Sequence, residues 1–249
     1  MGIIIEQNSL HYLTGFPPVR SDTHFKHYIK LCDHFFSNEQ IKWVGLGSVL
    51  EKVRNGMNLS TNFYSMDDTD ILYLSVSQIK EYGLIDKNQN YLLDDVRSEA
   101  GFFELEPDML LITRSGTIGV ALSTNNRSFE FNENSYIASG FVITAKIKEG
   151  FSSDIIAGYL NIFDVHNFLT AMAAGACQKN ISQPTINQLP IPECFLVNNN
   201  AFDKYFNEYM DESNKILADI DVQEKKLIEL KKDISSSITS EITNYYQPQ

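Results

Sequence analysis

The sequence predicts a mixed α/β (α+β) fold: a globular domain over residues 1–197, then a linker and one long coiled-coil helix over 198–249. Two observations carry this prediction. Short β-branched and aromatic runs such as Ile71–Val76 and Met109–Thr113 alternate with helically spaced stretches through the first part of the chain. From Phe202 to Tyr246 there is no Gly or Pro, and apolar residues recur three, four or seven apart.

Each element has its own signal. In Ser21–Phe36, Phe25, Tyr28, Ile29, Leu31, Cys32 and Phe35 lie near helical spacing, with Ser21 or Asp22 as the N-cap. This helix and the irregular segment before it form an N-terminal extension. Val44–Glu51 reads as a turn into a short helix capped by Ser48. Ile71–Val76 reads as a strand. Met109–Thr113 and Thr117–Leu122 read as a tight hairpin joined by Arg114-Ser115-Gly116, where the glycine tolerates positive φ. Ile137–Ile147 reads as a strand broken by Gly140. Ser153–Met172 reads as one helix, capped by Ser152 or Ser153 and stopped by Gly175. Pro184, Pro190 and Pro192 then impose a short helical turn and an extended exit. Asn198-Asn199-Asn200 reads as a linker. In the last stretch Tyr209, Ile216, Ile220, Leu227, Leu230 and Ile234 form a narrow seam, with Ser213 and Gln223 at seam positions and Ile238 slightly out of step. A helix of this length runs on the order of 60 Å, and so narrow a stripe calls for a partner helix.

The chain has 249 residues and a formal net charge of -12. Stand-alone DNA binders are usually basic, so this acidity by itself argues against independent DNA binding, unless the acids face away from the nucleic acid or a partner supplies the phosphate contacts. No run nears the roughly 18 apolar residues of a membrane span. The N-terminus lacks a basic region before Ile3-Ile4-Ile5 and a small-residue cleavage site, so a cytoplasmic protein is expected. Cys32, Cys177 and Cys194 have no CxxC spacing and read as reduced, mostly buried thiols.

Catalytic signatures are absent from the string. There is no GxGxxG or FxGxG turn for a methyl-donor cofactor, no Asn-Pro-Pro-Tyr or Asp-Pro-Pro-Tyr, no Walker motif and no GxSxG. Asp67, Asp68 and Asp70 ahead of Lys80 resemble a metal-nuclease grouping, but an acidic chain produces such groupings by composition. His24 and His27 share a helix face, yet zinc needs two more ligands and none stand at motif spacing. No cofactor, no metal and no enzymatic activity are expected.

Three ordered segments resemble the specificity subunits of type I restriction–modification systems. Ile71–Lys80 followed by Gly83-Leu84-Ile85-Asp86 looks like that family's strand, short helix and G-x-I segment. Leu105–Gly119, with Asp108, Arg114, Ser115 and Gly116, is similar to its "gD-l-l-i-t-r-s-G-t-i-G" segment. Gly175–Ser182 with Leu189-Pro190-Ile191-Pro192 resembles its exit into a conserved helix. The resemblance covers roughly 44–238. It implies a target-recognition domain that reads one half of a bipartite site on double-stranded DNA and directs an adenine methyltransferase subunit, with motor-nuclease subunits joining for cleavage. Family members usually carry two such domains and two helices. This chain has one of each, which implies a half-sized subunit that forms a homodimer through its helix seam. The competing reading is an acidic protein-interaction module or inhibitor with the same fold that does not bind DNA by itself.

Three groups are the DNA-contact candidates. Arg114, Ser115 and Thr117 sit in a glycine loop, where arginine suits phosphate or a guanine edge and hydroxyls suit phosphate oxygens. The alternative is a structural hairpin with Arg114 in an internal ion pair. Gln178, Lys179 and Asn180 suit adenine or phosphate, against a loop that merely ends a helix. Lys52 and Arg54, with Asn55 and Asn58 around Gly56, form the third patch.

Overall fold

The computed structural model describes residues 23–38, 40–85, 89–174, 179–197 and 200–245. The chain divides into two compact units, one through Phe206 and one from Asn207 onward. In chain order the helices and strands are α1 (Thr23–Phe36), β1 (Trp43–Gly45), β2 (Leu50–Asn55), β3 (Ile71–Leu74), β4 (Ile79–Lys80), β5 (Gly83–Leu84), α2 (Val96–Ala100), β6 (Met109–Thr113), β7 (Ala121–Ser123), β8 (Ser135–Ala138) and β9 (Val142–Ile147). There follow α3 (Ser153–Leu160), α4 (Phe163–Met172), α5 (Gln183–Gln188), β10 (Pro190–Pro192), α6 (Cys194–Val197) and α7 (Asn200–Tyr245). The fold is mixed α/β with a long C-terminal helix.

The first unit is organised by a four-stranded antiparallel sheet in the order β2-β9-β6-β7. β6 is buried at every position, which explains why Met-Leu-Leu-Ile-Thr is a continuous apolar run rather than an alternating one. Its side chains alternate between two cores. Leu110 and Ile112, with Ile143 and Ala145 of β9, pack on Ile156, Tyr159 and Leu160 of α3 and on Phe168 and Leu169 of α4. Met109 and Leu111 join Leu72 and Leu74 of β3 and Tyr136 and Ala138 of β8, a parallel pair on the opposite face. A third cluster holds Ile71, Tyr73, Leu92, Val96 and Ile137. α1 packs on α4, where His24 Nε2 lies 2.8 Å from Thr170 O.

Several elements differ from the sequence expectation. Val44–Glu51 is not a turn into a helix. It comprises the end of β1, a single 3-10 turn at Leu46–Ser48 and the start of β2. Partners distant in sequence impose this: β1 pairs with β10, Leu46 N donates to Leu189 O at 2.8 Å, and Leu50 pairs with Ile147. The expected tight hairpin is wider, because Thr117–Val120 is loop and the second strand begins at Ala121. Gly116 and Gly119, at φ of +75° and +85°, curl this loop back so that Gly119 N reaches Thr113 O at 2.8 Å. The single helix over 153–172 is two. At the break, Asn161 accepts from Ala121 N (2.9 Å) and donates to Ala121 O (2.8 Å), so its amide imitates a strand residue on the edge of β7. The strand over 137–147 does divide at Gly140. Cys194 is exposed rather than buried. The expected cap at Ser21 or Asp22, the helix stop at Gly175, Cys177 and the linker residues Asn198 and Asn199 lie outside the described residues.

In the second unit, α7 shows the seam spacing in its exposure pattern. Ile216, Ile220, Leu227, Leu230, Ile234 and Ile238 are 47–60% exposed. The side chain of Tyr209 lies outside the described set.

The aspartate of the "gD" motif has a structural task. Asp108 stands at φ +62°, and its carboxylate accepts from Ser153 Oγ (2.8 Å) and Asn125 Nδ2 (3.1 Å), tying the start of β6 to the first turn of α3. Asp108→Ala is expected to cost about 1–2 kcal/mol, read as a lower urea midpoint; an unchanged midpoint refutes the role. A second expectation concerns alkaline pH. Burial pushes the Tyr159 phenol well above its ordinary 10.0, while its hydroxyl donates to Pro190 O at 2.6 Å. The raised value means that stability is complete below pH 10 and falls as pH climbs from there, because the unfolded phenol ionises first. Tyr159→Phe should flatten that alkaline decline in a denaturation series, and an identical slope in both proteins would exclude Tyr159 as its source.

Candidate nucleic-acid interface

Strand direction gathers the candidate residues. β2 and β6 run one way and β9 and β7 the other, with Asn55 opposite Ile143, Thr113 opposite Val142 and Ile112 opposite Ala121. The loops 56–58, 114–120 and 139–141 therefore leave the sheet at one end. A fourth segment joins them: Asn180 forms an isolated bridge with Ser115, and Ile181 N donates to Arg114 O at 3.0 Å.

Backbone contacts fix three of these loops against one another. Gly56 N donates to Val142 O (2.8 Å), Gly140 N to Met57 O (3.0 Å) and Arg114 N to Phe141 O (2.9 Å). The approach leaves no room for a side chain at Gly56, and at Gly140 a Cβ would have to displace the Asn58 side chain. A Cβ on Gly56 would stand 2.2 Å from Ala138 O, and one on Gly140 2.2 Å from Asn58 Oδ1.

The candidates occupy different positions in this cluster. Arg114 is half-buried; its Nε has no hydrogen-bond partner, and it makes no ion pair among the described residues, so the internal ion pair is not found there. Thr117 is exposed, and its carbonyl accepts from Thr113 Oγ1. Ser115 is 1% exposed and holds the bridge to Asn180, which makes it a positioning residue and not a presented hydroxyl. Lys179 and Asn180 are half-buried, and Asn180 exchanges two backbone bonds with Ala174 (2.8 and 2.9 Å). Gln178 lies outside the described residues. In the third patch Asn58 is exposed beside Gly140, while the Gln183 amide, turned so that both its ends are satisfied, accepts from Asn55 N at 3.1 Å. Arg54 stacks its guanidinium 4.6 Å from the Phe102 ring centroid; burial lowers its pKa and nearby Glu106 opposes that. Lys52 is exposed at φ +46° in a bulge of β2, short of the converging end.

The charge distribution is a feature that motif reading passes over. Segments 52–66, 109–129, 134–148 and 165–192 contain no Asp or Glu, although the chain has 32 acidic residues. These four segments supply the converging loops, to which they bring Arg114 and Lys179, while the Arg54 guanidinium lies over Phe102 with Glu106 nearby; Lys146, Lys148 and Arg127 lie toward the opposite end of the sheet. Beyond about 10 Å exposed charges are largely screened, so the local field follows these loops more than the net charge. Two aromatic residues are also absent from the motif reading: Phe141, 48% exposed in the 139–141 turn, and Phe102, 75% exposed over Arg54. Among the described residues no group of three or more His, Cys, Asp or Glu is placed to hold a metal, and no helix is long and apolar enough to cross a membrane.

No protein-family model and no curated protein matches the chain. Solved structures do resemble it. A type I restriction–modification S subunit from M. genitalium is 13% identical with a TM-score of 0.40, over 62% of this chain and 35% of that one. The HsdS subunit from Thermoanaerobacter tengcongensis is 11% identical with a TM-score of 0.44, over 73% and 39%. A structure of a type I R-M system, described for its complex assembly and conformational transition, is 13% identical with a TM-score of 0.44, over 84% and 50%. The chain is thus similar to type I specificity subunits and spans half or less of the length of each.

Proposed function

We propose that this chain is a non-catalytic, sequence-specific DNA-recognition subunit of a type I-like restriction–modification system. Residues 1–197 act as the target-recognition domain, reading one half of a bipartite site, and 198–249 supply a linker and a dimerisation helix. The chain directs an adenine methyltransferase subunit, and a motor-nuclease subunit joins that assembly for cleavage.

One observation carries the reading: Arg114, Thr117, Lys179, Asn180 and Asn58 meet at one end of a rigid sheet in loops free of carboxylates. Guanidinium, ammonium, amide and hydroxyl groups are the set that duplex DNA selects for phosphates and base edges. The acidity that favours an interaction module resides in other segments, and that reading draws no support from these loops.

The test is a low-salt gel-shift series with and without the methyltransferase subunit. Arg114→Gln should weaken binding about tenfold and reduce the salt slope by about one, as expected for loss of one phosphate or guanine contact. Absence of binding by the unaltered chain in both conditions would favour the interaction module instead. The helix supports a separate expectation. Ile220→Glu with Leu227→Glu should halve the mass in light scattering, because both residues lie on the exposed seam; a mass unaffected by the two charges removes the coiled-coil role.

A further inference from the structure

We propose that Phe141 is the apolar reader of this interface, packing its ring on the 5-methyl of a thymine in the major groove; the proposal rests on the DNA-recognition reading above. From Tyr136 to Ala145 every residue is buried except Phe141. A large apolar side chain left in water forgoes burial free energy that a contact can recover.

The exposure is not slack in the chain. Val142 N closes the turn on Ser139 O at 2.9 Å, Gly140 N donates to Met57 O at 3.0 Å, and Phe141 O accepts from Arg114 N at 2.9 Å. The Asn58 side chain lies against Gly140, where a Cβ would have to displace it. The backbone of the turn is therefore fixed, which limits where the ring can reach. Pre-organisation of this kind lowers the ordering cost of a contact.

The surroundings select the occupant. The groups tied to this turn are Asn58 and Arg114, and among the described residues the loops 56–58, 114–120, 139–141 and 179–182 contain no carboxylate. A phenyl beside hydrogen-bonding and cationic groups complements a base edge flanked by phosphates. A protein partner would want a wider apolar patch. Phe141 is 48% exposed, so it offers apolar surface to a thymine methyl without insertion between stacked bases.

The experiment selects preferred sites from a randomised duplex pool with the full chain and its methyltransferase subunit. The unaltered chain should enrich a motif with a thymine at one position where uracil, which lacks only the methyl, binds about five- to tenfold more weakly. Phe141→Ala should lose that thymine–uracil discrimination while keeping the salt slope and the urea midpoint; Phe141→Leu should keep part of it. The four affinities form a cycle whose coupling isolates the ring–methyl contact. If Phe141→Ala retains the discrimination, Phe141 is not the reader and the DNA-recognition reading stands. Equal weakening on thymine and uracil sites also overturns the methyl contact and indicates a wedge. Failure of the unaltered complex to enrich any site removes both the inference and the reading beneath it.

Discussion

The ladder between β6 and β9 is the constraint from which the rest of the first unit follows. It pairs Met109 with Lys146 through Thr113 with Val142. Because β6 is buried on both faces, its alternating side chains commit the helices to one side and the β3–β8 pair to the other. A slip of one residue would exchange the two sets, sending Leu110 and Ile112 toward β3 and β8 and Met109 and Leu111 toward the helices. The same register decides which loops share an end. Arg114 follows Thr113 directly and Phe141 precedes Val142, so their backbone bond is a continuation of the ladder beyond the last strand pair.

What was legible in the sequence divides along the range of the forces involved. The β6 run, the break at Gly140, the Ser152 cap on α3 and the seam of α7 depend on local preference or on a period, and the sequence displays both. The β1–β2 region was misread because its backbone partners, Leu189, Ile191 and Ile147, come from the far end of the domain. The division of the helix at Asn161 was invisible for a related reason. An asparagine in a helical pattern gives no sign that its amide will complete a strand edge some forty residues earlier, as Asn161 does at Ala121.

The candidate site shows the same division more sharply. Arg114, Lys179 and Asn180 have the right chemistry on inspection, but their adjacency depends on the bridge between Ser115 and Asn180. Ser115 itself illustrates the limit: a hydroxyl beside a loop arginine looks like a phosphate ligand until its burial is known. The acid-free segments stand in plain view in the sequence, yet they are four unrelated stretches until strand direction assembles them. Phe141 carried no signal at all, since an apolar residue inside an apolar run is indistinguishable from its buried neighbours.

The modest number of cations at the converging end bears on how an acidic chain would read DNA. Arg114 and Lys179 lie there. Each neutralised phosphate contributes a salt-dependent increment to affinity, so on the proposed reading two would make a weak, discriminating contact rather than a strong general one. On the proposed reading that weakness is useful, since general affinity retains a protein at wrong sequences while base contacts separate right from wrong. The missing strength then has to come from linkage. If two such chains pair through the exposed stripe of α7, as proposed, the second half-site contact becomes intramolecular and overall affinity rises by a factor set by geometry. On the proposed reading, the acid-free loops and the exposed apolar stripe of α7 would be complementary, with specificity in each reader and affinity in the joining of two.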